Sequence, residues 1–188
     1  MKQNHLHLQI QNTLVGMRIP KDFFATKGKG ESDITKHAGS YHLALKDAGI
    51  EMCNIMTYSS ILPGIATQIE KPATLTHGAV MESIVSEQTS GSGERATAGI
   101  IYGWLFDRKT GQKFGGLVCE RNGTFSQQKA KVELQSSLNE LYYNGFSEQF
   151  EMRDVALHVE SFVPHKKFGT ALVALCFTNY VYPMIKEV

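Results

Sequence analysis

Apolar and polar positions along this chain change period several times, and each change predicts an element. Tyr41, Ala44, Leu45 and Ala48 recur at i, i+3, i+4 and i+7, the spacing of one helix face. Ser40 stands where an N-cap belongs and Gly49 follows the last periodic position, so a capped helix is predicted there. His42, Lys46 and Asp47 point away from its apolar side. Ile50 to Tyr58 then alternates, with Ile50, Met52, Asn54, Met56 and Tyr58 on one side and Cys53, Ile55 and Thr57 on the other. Both sides are largely apolar, which predicts a strand covered twice. Further strands are predicted over 79–86, 96–106, 114–120, 155–163 and 169–177, the last again apolar on both faces. A second helix opens at Ser126 and closes at Gly145. Ala130, Leu134, Leu138, Leu141 and Tyr142 form its stripe, with Lys129, Lys131, Glu133, Gln135 and Glu140 toward water.

The connecting segments follow from turn chemistry. His7-Leu8-Gln9-Ile10 alternates briefly and suits an edge strand, and Lys27-Gly28-Lys29-Gly30-Glu31-Ser32-Asp33 reads as a loop. Thr89-Ser90-Gly91-Ser92-Gly93 suits a β-hairpin connection, Asp107 to Gly111 a hairpin turn, and Asn122-Gly123 the next reversal. With no repeat, low-complexity segment or linker, residues 1–188 are expected to form a single α+β domain. Its core is a β-sandwich with helices on the outer faces.

Composition narrows the function classes. The chain has 188 residues, 42% of them apolar, which is enough for one sizeable core. A formal charge of +1 argues against a general nucleic-acid or membrane-surface binder. Cys53, Cys119 and Cys176 are widely spaced in apolar runs, so buried reduced thiols are expected rather than disulfides or a zinc site. The first residues carry no signal-peptide core and no run reaches membrane-spanning length, so a cytoplasmic protein is expected. His5 and His7 lack a third ligand nearby, and no metal site is expected.

The candidate chemistry centres on Tyr58-Ser59-Ser60-Ile61-Leu62-Pro63-Gly64. Ser59-Ser60 ends a β-prone run just before Pro63-Gly64, a place where backbone strain can be stored. There the two hydroxyls either close a turn, or the Ser60 hydroxyl attacks the Ser59 carbonyl and turns the amide into an ester. β-Elimination then frees the upstream chain and leaves dehydroalanine, which hydrolyses to a ketone, a pyruvoyl group. Ser136-Ser137 lies in a helical pattern where no such chemistry is expected. Glu120 ends the apolar segment from Phe114. It is either an exposed strand-end carboxylate or a partly desolvated one, kept protonated as a general acid. A buried Asn54 needs partners for its amide, either a backbone bond within the core or a substrate or scissile peptide to orient. Asn54 and Ser60 can share a site only if the chain bends near Ser59, or if each comes from a different subunit. His158 and His165 are isolated from any nucleophile at recognisable spacing.

Asn54-x-x-x-x-Ser59-Ser60-Ile61-x-Pro63, Gly116-Leu117-Val118-x-Glu120, Phe150-Glu151-Met152-Arg153 and Lys167-x-Gly169 stand in the same order as in a known family. From about Gly30 to Phe177 the chain resembles the pyruvoyl-dependent arginine decarboxylases. The resemblance implies a four-layer αββα sandwich, assembled as a homotrimer or paired trimers with active sites between subunits. It implies cleavage between Ser59 and Ser60 into a β chain (1–59) and an α chain (60–188), with Ser60 becoming the covalent pyruvoyl cofactor. That ketone forms a Schiff base with L-arginine and acts as electron sink for loss of carbon dioxide, yielding agmatine and consuming a proton. Glu120 is then the proton donor, Asn54 aids processing or holds substrate, and Val118 borders the substrate site.

Two positions depart from the family pattern. The family places an Asp in the first helix, where it pairs with the substrate guanidinium, and the ungapped position here is His42. Asp33 or Asp47 substitutes, a carboxylate comes from elsewhere, or the guanidinium is held differently. Gly64 stands where a second proline is common and is expected to loosen the turn. The competing readings are a pyruvoyl decarboxylase of another amino acid such as histidine, and an unprocessed, non-catalytic trimer that binds arginine-like ligands.

Overall fold

A computed structural model describes residues 15–184. The short strand at His7–Ile10 and the His5/His7 pair lie outside the described residues. Two sheets face each other. One has five strands in the order β3-β6-β10-β2-β5, the other four in the order β4-β8-β7-β9. In chain order these are β2 (Asp22–Ser32), β3 (Asn54–Thr57), β4 (Ile61–Pro63), β5 (Thr67–Gln68), β6 (Val80–Ser90) and β7 (Ala96–Asp107). They are followed by β8 (Lys113–Gly123), β9 (Phe150–Phe162) and β10 (Phe168–Phe177). A two-stranded ribbon joins β1 (Ile19–Pro20) to β11 (Tyr180–Val181).

The strand apolar on both faces sits at the centre. Ala171, Val173, Leu175 and Phe177 of β10 enter the core between the sheets, while Leu172, Ala174 and Cys176 face outward under α1 (His42–Ala48). Helix α2 (Gln127–Gly145) covers the other sheet, packing Ala130, Leu134, Leu138 and Tyr142 on Ile101, Leu105 and Leu117. Each buried leucine contributes roughly 1.5–3 kcal/mol. The layers therefore run helix, sheet, sheet, helix, as expected of an αββα sandwich. Ser126 caps α2 by accepting the Lys129 N–H at 3.2 Å. Gly49 closes α1 in the left-handed conformation at φ 68°.

Several local expectations are overturned. Lys27 to Ser32 is strand, not loop, because Lys-Gly-Lys-Gly is itself a period-two pattern. Gly28 and Gly30 face α1, where a Cβ would lie 2.3 Å from the Ala44 carbonyl and 2.4 Å from that of Ser40. These glycines serve close helix–strand approach rather than flexibility. Ser40 is not an N-cap. A π-helical turn over Lys36–Tyr41 precedes α1, and the buried Ser40 hydroxyl bonds the Lys36 carbonyl at 3.2 Å and Thr170 Oγ1 at 2.9 Å.

The strand expected over Ile50–Tyr58 shortens to Asn54–Thr57 and, among the described residues, is an edge strand paired only with β6 in parallel. None of the described residues covers its second face, and Met56 is 55% exposed. Gly91-Ser92-Gly93 carries the chain from one sheet to the other instead of closing a hairpin, since β6 and β7 belong to different sheets. Asn122 and Gly123 still pair with Ala98 and Thr97, so the reversal comes later. Strand β9 begins at Phe150, five residues early, because a bulge at Asp154 (φ 51°) breaks its alternation without ending it. Leu141 lies at the margin of the α2 stripe and is exposed. Of the three thiols only Cys176 is fully buried, and burial pushes it up to about 12.

Gly28→Ala is expected to lower the denaturant midpoint by an amount worth about 1–3 kcal/mol without changing the slope, the cost of overpacking a rigid contact. Gly91→Ala, whose Cβ would meet nothing nearer than 4.0 Å, is the control and should change stability by less than about 0.5 kcal/mol.

Candidate active site

The chain leaves the five-stranded sheet at Thr57 and enters the four-stranded sheet at Ile61. Tyr58, Ser59 and Ser60 are thus the crossing between the two layers. Before the crossing, the Tyr58 N–H donates to the Ser83 carbonyl at 2.8 Å. Beyond it, Leu62 is fully buried between the sheets and β4 pairs with β8 in the register Ile61 to Leu117. Gly64 does not loosen the turn. It packs on β8 so closely that a Cβ would fall 2.5 Å from the Phe114 carbonyl.

Strand β8 alternates, as its pattern requires. Leu117 and Cys119 face α2, so Val118 and Glu120 face the opposite sheet. Val118 is buried in the core two residues before Glu120. The Ser60 hydroxyl donates to both Glu120 carboxylate oxygens, at 2.6 and 2.7 Å. The Ser59 carbonyl oxygen accepts the Ile61 N–H at 3.0 Å, which closes a three-residue turn around Ser60. This places an acceptor on the would-be nucleophile and a donor on the carbonyl it would attack. Charge developing on the Ser59 oxygen would meet a backbone N–H already aimed at it. Ser59 itself is exposed and Ser60 half-buried.

The other predicted residues are not brought to this point. Asn54 is exposed at the far end of β3, and its amide donates to the Gly78 carbonyl at 2.9 Å rather than to Ser60 or Glu120. The chain does turn at Ser59, but the turn carries it to the other sheet. His42 is exposed on α1. Asp47 accepts the Lys29 N–H at 2.9 Å and lines an open cavity of about 860 Å³ with Lys29, Glu31, Lys46 and Lys166, where three ammonium groups stand against two carboxylates. Asp33 accepts the Lys167 N–H at 3.1 Å. Both carboxylates offered in place of the family's Asp are therefore engaged by backbone amides. His158 stacks on Tyr102 at 6.2 Å, and burial, then the Lys27 charge, holds its imidazole below the ordinary range.

Sequence reasoning missed Glu82. It is 6% exposed in β6 and takes hydrogen bonds from Arg18 and from the Tyr58 hydroxyl, directly beside the crossing. A lone carboxylate within the apolar run from Ala79 to Val85 was the available signal.

The family model for pyruvoyl-dependent arginine decarboxylase matches residues 22–182. This chain belongs to that family. It is 32% identical to the pyruvoyl-dependent arginine decarboxylase AaxB of Chlamydia trachomatis serovar L2, over 88% of this chain and 94% of the relative. The corresponding protein of Chlamydia pneumoniae is 31% identical over the same shares. A probable pyruvoyl-dependent arginine decarboxylase of Chlorobaculum tepidum is 28% identical over 64% of this chain and 70% of its own length. Membership in the pyruvoyl-dependent arginine decarboxylase family implies a covalent pyruvoyl group. The residues at the crossing fit one: a serine with its hydroxyl on a carboxylate and a hydrogen-bonded carbonyl before it.

Ser60→Ala is expected to leave one uncut chain by denaturing mass measurement, with no decarboxylation. Glu120→Gln keeps an oxygen to hold the hydroxyl, so it should cut, but turnover should fall by about 10²-fold or more for want of a titrating group.

Proposed function

We propose that the chain cuts itself between Ser59 and Ser60 and then decarboxylates L-arginine to agmatine and carbon dioxide. What supports this is the pair of contacts at the crossing, Ser60 on Glu120 and Ile61 N–H on the Ser59 carbonyl, in a chain of this family. Glu120 orients the Ser60 hydroxyl as Oγ bonds to the Ser59 carbonyl carbon and the hydroxyl proton passes toward the Ser60 nitrogen. The C–N bond then breaks, the Ser60 nitrogen takes a proton, and an ester remains. Loss of the Ser60 α-proton with cleavage of the Cβ–Oγ bond frees residues 1–59 as a carboxylate. Water adds to the dehydroalanine left behind and ammonia departs, so that residues 60–188 begin with a ketone.

That group supplies a carbonyl that takes up the substrate amine and accepts the electron pair left as carbon dioxide leaves. Once the Ser60 hydroxyl is gone, Glu120 faces the space it filled and returns a proton to the substrate α-carbon. Val118 forms the apolar wall beside it. Met56 and Ile61, at 55% and 70% exposure, flank the crossing, and Val80, at 63%, lies beside Asn54 at the other end of β3; together they give a second copy of the chain an apolar surface to cover. In a homotrimer, or in paired trimers, the exposed Asn54 of one subunit is free to serve the site of another. Asp33 and Asp47 each accept one main-chain N–H and keep further acceptor capacity, so the guanidinium partner is one of these or a carboxylate of another subunit, and His42 stays exposed at the family's position. Each turnover consumes one proton, which suits acid resistance or arginine supply in the cytoplasm.

Carbon dioxide release from single amino acids tests the assignment. Arginine should exceed histidine, lysine and ornithine by about 10²-fold or more in kcat/KM. A preference for histidine would overturn the substrate, and no release from any amino acid would overturn the reaction.

A further inference from the structure

We propose that Arg18, Glu82 and Tyr58 form a clamp that positions the Ser59–Ser60 peptide for scission and holds the new chain end afterwards. The proposal rests on the reading that the chain cuts itself. Glu82 sits in β6 between the two sheets, 6% exposed, where an unpaired carboxylate would be costly. Arg18 meets it with two guanidinium nitrogens, Nε at 3.1 Å from Oε2 and Nη2 on Oε1, and the Tyr58 hydroxyl donates to the same Oε2. Arg18 is steadied in turn by the Tyr180 ring, 5.6 Å from its guanidinium carbon.

Glu82 is buried but the Arg18 side chain is 47% exposed, and a half-exposed ion pair adds little net stability, so stability alone is a weak reason to keep one here. Its geometric consequence falls on Tyr58. That residue is fixed by its N–H on the Ser83 carbonyl at 2.8 Å, by its ring 5.8 Å from Phe177, and by its hydroxyl on Glu82. Two residues on, Ser60 is fixed to the other sheet through Glu120 and the β4–β8 pairing. Only exposed Ser59 lies between the two anchors. With both ends held, the Ser59 carbonyl cannot swing away from the Ser60 hydroxyl. Releasing the Tyr58 end frees it to do so.

The clamp also spans the cut. Arg18 and Tyr58 belong to residues 1–59, and Glu82 belongs to 60–188. Its hydrogen bonds therefore survive scission and keep the new carboxyl end of the smaller fragment beside the site.

The test is an intact-mass time course of scission in the full chain, for wild type, Tyr58→Phe, Arg18→Met and Arg18→Lys. Melting temperatures are measured with and without Tyr58→Phe in a Ser60→Ala background that cannot cut. Tyr58→Phe removes one oxygen and should slow scission about tenfold or more, since small misplacements of reacting groups carry costs of that order. Its melting temperature in the uncut background should fall by no more than about 4 °C, the cost of one hydrogen bond. Arg18→Met should slow scission similarly, and Arg18→Lys should recover part of the rate by keeping the charge while losing the fork. Wild-type scission in Tyr58→Phe, or a slowing accompanied by a larger fall in melting temperature than one hydrogen bond accounts for, would overturn the clamp. A wild-type chain that never cuts would instead overturn the reading beneath it.

Discussion

Three residues must carry this chain from one sheet to the other, and the hydrogen bond from Ser60 to Glu120 fixes where that crossing lands. Packed sheets stand about 10 Å apart, a gap that three extended residues just span. Tyr58 is tied to the first sheet and Ile61 and Leu62 to the second, so little slack remains between them. The requirement on each layer follows. Central β10 must be apolar on both faces, Gly64 must let β4 lie against β8, and β8 must turn Glu120 inward. Chemistry at Ser59–Ser60 is therefore a property of how the sandwich is threaded, not of the dipeptide. Ser136-Ser137, on the exposed side of α2, has the same two side chains and none of this setting.

How much of this could be read beforehand depended on whether the deciding contact was local. Helix α2 was legible in full outline because its cap, stripe and terminal glycine all lie within the helix itself. The both-faces-apolar pattern was right for β10 and wrong for β3. The two strands look alike in sequence, but β10 has neighbours on both sides and β3 has one. Edge position is decided by partners elsewhere in the chain, which no local pattern records. The same distance hid the spacing glycines of β2, whose reason is the helix backbone lying on them. Ser40 misled because the helical segment starts with a wider turn, which moves the true start upstream and leaves the serine inside.

The site divides along the same line. Ser59, Ser60 and Glu120 were legible as motif residues, but their meeting depends on a 60-residue separation closed by β4–β8 pairing. Asn54 was expected to be buried and is instead exposed and tied to Gly78, so its part in any shared site requires a neighbouring subunit. Asp33 and Asp47 were reasonable guanidinium partners by charge, and each holds a main-chain N–H with one oxygen while keeping acceptor capacity on its carboxylate. Glu82 carried the clearest unused signal, a charge in an apolar strand. Burial of a carboxylate implies partners, and these partners proved to be Arg18 and Tyr58.

The proposed chemistry rests on one covalent change at Ser60. The most direct measurement is denaturing mass spectrometry of the purified chain after treatment with phenylhydrazine. The account predicts two fragments, residues 1–59 unmodified and residues 60–188 carrying one hydrazone at the new first residue. A single intact chain without label would contradict it.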